Sequence, residues 1–327
     1  MTRIRLCGAA SWIALAFALS FAIIAGTAGA QDFPSKPIRL LVGFPPGGNA
    51  DVGARLVAQK MTEGFGRPIV VETRTGGGGV VASAAVAKAA PDGYTLLLMI
   101  GGFVTQAATM KQLPYDSIRD FTPISLLVSY PVVIAVAADS PYKTLGELIA
   151  YAKNNPGKLS YGAPIGTLYH LVAEWMGSMA GTDLTFIPYR GGSEPMTEVI
   201  AGRNSILFEA ITNVAGQVRA GKLRALAVTS THPSPSLPNV PSASQTLPGF
   251  ETISFLAIAG PAGMPRPILD RLNAEVRRSI QTPEITQRFA EWGGQPAPTS
   301  PEEAQRFIET EIAKWKRVAD ARKIIIE

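Results

Sequence analysis

Two glycine-rich segments are the parts of this sequence best placed to do chemistry. Pro45-Pro46-Gly47-Gly48-Asn49-Ala50-Asp51 and Thr75-Gly76-Gly77-Gly78-Gly79 each follow an apolar run of strand length and open a helical pattern. A helix start presents unpaired backbone N–H groups and a partial positive charge. Glycine lets an anion approach that backbone closely. Two such turns after adjacent strands lie at one sheet edge, where open α/β sheets place their ligands. The chemistry this suits is capture of a carboxylate by backbone donors; the competing reading is a pair of plain tight turns. A nucleotide site is disfavoured, because Val81 stands where the third glycine of G-x-G-x-x-G belongs and no G-x-x-x-x-G-K-[ST] occurs.

Other residues are candidates by position. Tyr189-Arg190-Gly191-Gly192-Ser193 is a third strand-turn-helix junction, and Glu209 follows the strand Ile206–Phe208. A carboxylate there suits either a water or ammonium group of a ligand or a hinge salt bridge. Phe44 and Phe103 sit at strand ends, suited to walling an apolar part of a ligand or to core packing. His170 lies in the first turn of a helix, facing a cleft or serving as a structural histidine; His232 sits in a Pro/Ser loop. These are the only two histidines. No H-E-x-x-H or G-x-S-x-G occurs, and Ser140-Pro141-Tyr142-Lys143 has no companion S-D-N or K-T-G. The expectation is therefore no catalytic residue, no metal and no cofactor.

The elements that must position these residues alternate. Strand Ile38–Phe44, a helix with Asn49 as its cap ending at Gly64-Phe65-Gly66, strand Pro68–Glu72, helix Val80–Ala90 and strand Thr95–Ile100 spell a β-α-β-α-β unit and predict a parallel sheet flanked by helices. The grammar repeats from strand Val132–Ala137 through a capping box at Thr144-Leu145-Gly146-Glu147 to strand Leu226–Thr229. After a Pro/Ser-rich loop, strand Ile253–Ala259 returns and three helices finish the chain. The last opens with the capping box Ser300-Pro301-Glu302-Glu303, with Pro at its first position.

Composition narrows the classes. The 327 residues are 46% hydrophobic and 17% charged, as globular chains are. The net charge is +5, and Arg3 and Arg5 carry two of those charges, leaving a surplus of about +3 without any basic run; nucleic acid is not an expected partner. Arg3 and Arg5, the apolar stretch Trp12–Ala25 and Ala28-Gly29-Ala30 spell a secretory leader, residues 1–30, cut near Ala30. Cys7, the only cysteine, lies inside it, so no disulfide is expected.

A series of short motifs then carries a specific resemblance. Pro34-Ser35-Lys36-Pro37-Ile38-Arg39 leads into Phe44-Pro45-Pro46-Gly47-Gly48. Pro91-Asp92-Gly93-Tyr94-Thr95-Leu96-Leu97-Leu98 follows, then Leu113-Pro114-Tyr115-Asp116 and Asp120-Phe121-Thr122-Pro123-Ile124-Ser125. Ala220-Gly221-Lys222-Leu223-Arg224-Ala225-Leu226-Ala227-Val228-Thr229, Leu272-Asn273-Ala274-Glu275-Val276 and Ser300-Pro301-Glu302-Glu303 complete it. In this order they resemble the substrate-binding proteins of tripartite tricarboxylate transporters, the Bug-type family. The resemblance implies an α/β, two-lobed periplasmic binding protein of type II-like fold, with the ligand cleft between lobes and not an enzyme. It suggests one lobe at 31–130 plus 252–327 and the other at 131–251. It implies a small organic carboxylate as ligand, the permease subunits of a tripartite tricarboxylate transporter as partners, and the periplasm as location. A sensor that signals to a membrane kinase is the alternative, and a secreted hydrolase a more distant one. Carried over, the ligand-binding residues are Pro46, Gly47, Gly48, Asp51, Gly78 and Gly79 in one lobe and Gly166, Thr167 and His170 in the other, with Tyr189 and Glu209 lining the same cleft. The second-lobe loop Gly162-Ala163-Pro164-Ile165-Gly166-Thr167-Leu168-Tyr169 is more apolar than the family's usual one, with Leu168 and Tyr169 suiting an aromatic or longer aliphatic acid, and Glu209 stands where the family usually has Asp.

Overall fold

The computed structural model describes residues 33–189 and 193–326. The leader with its cleavage site, and Arg190–Gly192 of the third junction, lie outside them.

The chain begins with β1 (Ile38–Val42), α1 (Asn49–Phe65), β2 (Ile69–Thr73), α2 (Val80–Ala87), β3 (Thr95–Ile100) and α3 (Gly101–Thr109). In α1 the buried residues Ala50, Ala54, Val57, Ala58 and Met61 recur at helical spacing, and Gly66 stops the helix at φ 62. A long strand β4 (Phe121–Ala137) follows. After it come α4 (Leu145–Asn154), β5 (Ser160–Ala163), α5 (Leu168–Ala180), β6 (Thr185–Pro188), α6 (Ser193–Ile200), β7 (Leu207–Ala210), α7 (Ile211–Arg219) and β8 (Leu223–Val228). The return consists of β9 (Ile253–Pro261), α8 (Arg266–Ile280), α9 (Pro283–Glu291), β10 (Gln295–Pro296) and α10 (Pro301–Arg322).

The main sheet has the order β10-β4-β9-β3-β1-β2, with β7 and β8 also paired to β4, and β5 and β6 form a small parallel sheet. The expectation of a parallel sheet holds for the first three strands and needs correction beyond them. β1 runs parallel to β2 and β3, but β9 is antiparallel to both β3 and β4, and β7 and β8 are antiparallel to β4. An apolar run such as Ile253–Ala259 signals a strand buried on both faces, and burial does not encode direction.

β4 changes partners along its length. Its residues Phe121–Pro131 pair with β9, and Val132–Ala137 pair with β7 and β8. Pro123 and Pro131 hide its full length from a sequence reading, since proline interrupts a ladder. The structure absorbs Pro123 with a register shift between Pro123 and Ser125. Buried Thr229 stitches the second connection to the first. Its hydroxyl donates to Thr252 O at 2.7 Å and accepts from the Val132 N–H at 2.9 Å, and its carbonyl takes the Thr252 N–H at 3.0 Å. Two apolar cores flank this seam, and α10 closes one of them with Ile308 and Trp315.

Candidate ligand-binding site

The two glycine loops touch. β1 and β2 pair in register to Val42 and Thr73, and the Arg74 N–H donates to Val42 O at 2.8 Å. A Cβ on Gly43 would lie 2.5 Å from the Gly79 Cα, so the backbones are already in contact there. The Phe44 ring lies over Gly79, which holds φ +107. In the first loop Asp51, 3% exposed, accepts the Gly47 N–H at 3.0 Å and bonds Arg55 at 3.0 Å. Arg55 above all, then the Gly47 N–H, holds its carboxyl below the usual range against the cost of burial. In the second loop the Gly79 N–H is spent on Gly76 O. The Gln106 amide of α3 donates to the carbonyls of Gly77 and Gly78 at 3.1 and 2.8 Å, fixing the loop to the next helix.

From there contacts run around a ring. A Cβ on Gly101, the first residue of α3, would meet the Leu168 side chain of α5 at 3.2 Å and Ser254 Oγ at 3.4 Å. One residue on, Tyr169 hydrogen-bonds Glu209 at the end of β7. The Glu209 carboxylate also accepts the Ala210 N–H at 2.8 Å and the Asn213 Nδ2 at 3.2 Å, beside the start of α7. Asn49 at the start of α1 then donates to Thr212 Oγ1 at 2.7 Å, which closes the ring on the first loop. The starts of α1, α2, α3, α5 and α7 thus meet around one place, and no side chain caps any of them. At α2 the Val80 and Val81 N–H groups are taken by the Gly77 and Gly76 carbonyls; the positive helix ends at the other starts suit an anion.

Glu209 is the acidic member of this ring. It is 3% exposed, and burial pushes its carboxyl up to about 7 despite the bonds from Ala210, Tyr169 and Asn213. The groups facing it are the Tyr130 and Tyr169 hydroxyls, both held neutral by burial. His170 is also buried. Its Nδ1 accepts the Gly166 N–H at 3.1 Å and its ring stacks on Phe186 at 4.1 Å, while burial lowers its pKa. In this place it holds the Pro164–Thr167 turn in shape. Thr167 Oγ1 donates to Pro164 O within the same turn.

The remaining candidates are spread differently. Pro46, Gly47 and Gly48 are exposed at the loop tip. Gly78 is exposed and Gly79 buried. Phe103 is 4% exposed, stacked on Tyr115 at 5.9 Å and edge-on to Phe121 at 5.2 Å. With Phe44 and Gly79 it encloses a cavity of about 10 Å³, room for a single water. Gly166 presses against Ile326 and Thr109. Tyr189 covers Gly162 and accepts from Asn204 Nδ2 at 3.0 Å, outside the ring's chain of contacts. The expectation that Asn49 caps α1 is corrected: Gly48 is the N-cap, and the Asn49 side chain leaves for Thr212. Sequence reasoning missed Asn49 in that role, along with Gly101, Gln106 and Thr212. Gly101-Gly102 after an apolar strand was an available signal; Ile211-Thr212-Asn213 offers none of the usual turn punctuation.

Comparison with known proteins agrees with this geometry. Residues 53–324 match the family model of the tripartite tricarboxylate transporter family receptor. The chain is 37% identical over 289 residues to the UPF0065 protein in the tcbD-tcbE intergenic region of Pseudomonas sp. (strain P51), covering 88% of this chain and 86% of that one. Among solved structures it is similar to Rpa4515 of R. palustris with adipate, at TM-score 0.80 and 32% identity, covering 90% of this chain and 99% of that one. It is similar as well to MatC from Rhodopseudomonas palustris with bound malate, at TM-score 0.76 and 29% identity, covering 88% and 99%. The chain belongs to the tripartite tricarboxylate transporter receptor family, whose members are periplasmic binding proteins and not enzymes.

Proposed function

We propose that this protein captures a small organic carboxylate in the periplasm and delivers it to the permease subunits of a tripartite tricarboxylate transporter, after removal of a leader cut near Ala30. The observation that carries the reading is the ring of uncapped helix starts contributed by both lobes. Two related proteins with adipate and with malate support the ligand class. Residues 31–130 plus 252–327 form one lobe and 131–251 the other, with crossings where β4 changes partners and at Thr252. The first-turn donors of α1 and the Gly78 region hold the carboxylate, and the second lobe closes on it at Thr167 and Glu209. Contacts made only in the closed form shift the population toward closure.

Thermal unfolding against a panel of carboxylates and their amides tests this. A ligand that binds the folded state raises the melting temperature with concentration. A rise with an acid, absent for its amide, is expected; a rise only with neutral compounds would sink the reading.

A further inference from the structure

We infer that Asn49 is a positioning residue for ligand capture: its side-chain amide latches the open end of α1 to the first turn of α7 and so holds the two lobes together. This rests on the two-lobed capture reading above.

Asparagine at a helix start ordinarily caps its own helix. Here Gly48 holds that position and the Asn49 amide reaches the other lobe, with 2.7 Å to Thr212 Oγ1 and 3.5 Å to Asn213 Oδ1. The acceptor end of Asn213 is turned toward Asn49 because its amide nitrogen is committed to Glu209. The latch joins two helix starts that no side chain caps. Two positive helix ends repel at close range, and an anion seated between them removes that repulsion. A neutral amide–hydroxyl bond adds contact across the gap without adding charge. Asn49 and Thr212 are only half-buried and Asn213 is exposed, so water competes for the bond and the latch is reversible. A neutral hydrogen bond of this kind changes an equilibrium by about three- to tenfold, and its loss acts mainly on the dissociation rate.

The test uses a Cys7→Ser background with spin labels on Gln59→Cys in α1 and Gly216→Cys in α7, both exposed. Distance distributions are recorded in buffer and with a panel of acids that includes adipate and malate. The parent is expected to show a short-distance population. Asn49→Ala and the isosteric Thr212→Val should each reduce it relative to the long one by about three- to tenfold. The double variant should lose no more than either single. Unchanged populations, fully additive losses, or a parent with no short population in any solution would each overturn the latch. If no acid binds the parent but the losses occur in buffer, the latch stands and the carboxylate reading fails. If adipate or malate binds the parent and Asn49→Ala equally, with equal distances, the latch fails and the carboxylate reading stands.

Discussion

Helix starts around the cleft are built differently from helix starts on the outside of the molecule. α4 opens with Thr144, whose hydroxyl accepts the Glu147 N–H at 3.1 Å, while Glu147 takes the Lys143 N–H. α10 opens with a complete capping box between Ser300 and Glu303. At α1, α2, α3, α5 and α7 the corresponding groups are left without a side-chain cap, and these are the ends that meet. The α8 and α9 starts also lack such a bond but carry Pro in their first turn, which removes one donor. The two outer starts satisfy their first turns with side chains, whereas α2 uses the Gly76 and Gly77 carbonyls and α1, α3, α5 and α7 have no side-chain acceptor.

The strongest attack on this contrast is Gly48→Val. Gly48 has φ −78 and a Cβ there would meet nothing nearer than Pro45 O at 3.7 Å, so the variant should fold. The larger side chain blocks the end of α1 and removes charge-assisted bonds. Carboxylate affinity should fall by about 100-fold or more, measured by calorimetry, with a loss of only about 1 kcal/mol of stability from the poorer N-cap residue. Near-parental affinity in the folded variant would refute the site. Gly79 offers no comparable test, because its φ of +107 and the Phe44 ring at 3.3 Å strain any replacement.

Glu209→Gln sharpens the contrast at α7, where a carboxylate rather than a hydroxyl sits at the helix start. The folded carboxyl titrates near 7 against an ordinary 4.5. Between those values the folded chain keeps a proton that the unfolded chain releases. The favourable contribution is therefore whole below pH 4.5, is lost as pH rises, and is absent above 7. The difference is about 3 kcal/mol. Denaturant unfolding should show Glu209→Gln gaining on the parent from pH 5 to pH 8; a constant difference across that range would contradict the assignment.

Thr229→Val strikes the seam where Val132 and Thr252 meet instead of the helix ends. It leaves the Val132 N–H and Thr252 O without the hydroxyl they share, at a cost of about 1–3 kcal/mol in urea unfolding. A loss below about 0.5 kcal/mol would mean that the seam is held elsewhere. The smallest effect is expected at an outer cap. Ser300→Ala should cost about 1 kcal/mol of stability and leave ligand affinity untouched. A change in affinity there would break the division between the two kinds of helix start.

Much of this was legible in the residues. The turns at Pro45–Gly48 and Gly76–Gly79, the capping box at Ser300, the Thr144 hydroxyl cap and the helix stop at Gly66 follow from residues acting within a few positions of themselves; at Thr144 the Glu147 carboxylate accepts the Lys143 N–H instead of closing a box. The prolines at 123 and 131 concealed the length of β4, and the short α3 was hidden behind the strand it follows. His170 stood with two readings in the sequence, and its bond from Gly166 and stacking on Phe186 place it in the turn that it shapes.

The sequence by itself determined the glycine turns, the helix stop at Gly66 and the caps at Thr144 and Ser300, because those choices are settled by local hydrogen bonds and by φ. Tertiary structure alone decided which starts face one another, that β9 returns antiparallel, and that Glu209 lies where burial lifts its pKa. Those outcomes depend on pairings such as Asn49 with Thr212, 163 residues apart, and on desolvation by packed neighbours, neither of which local spacing contains.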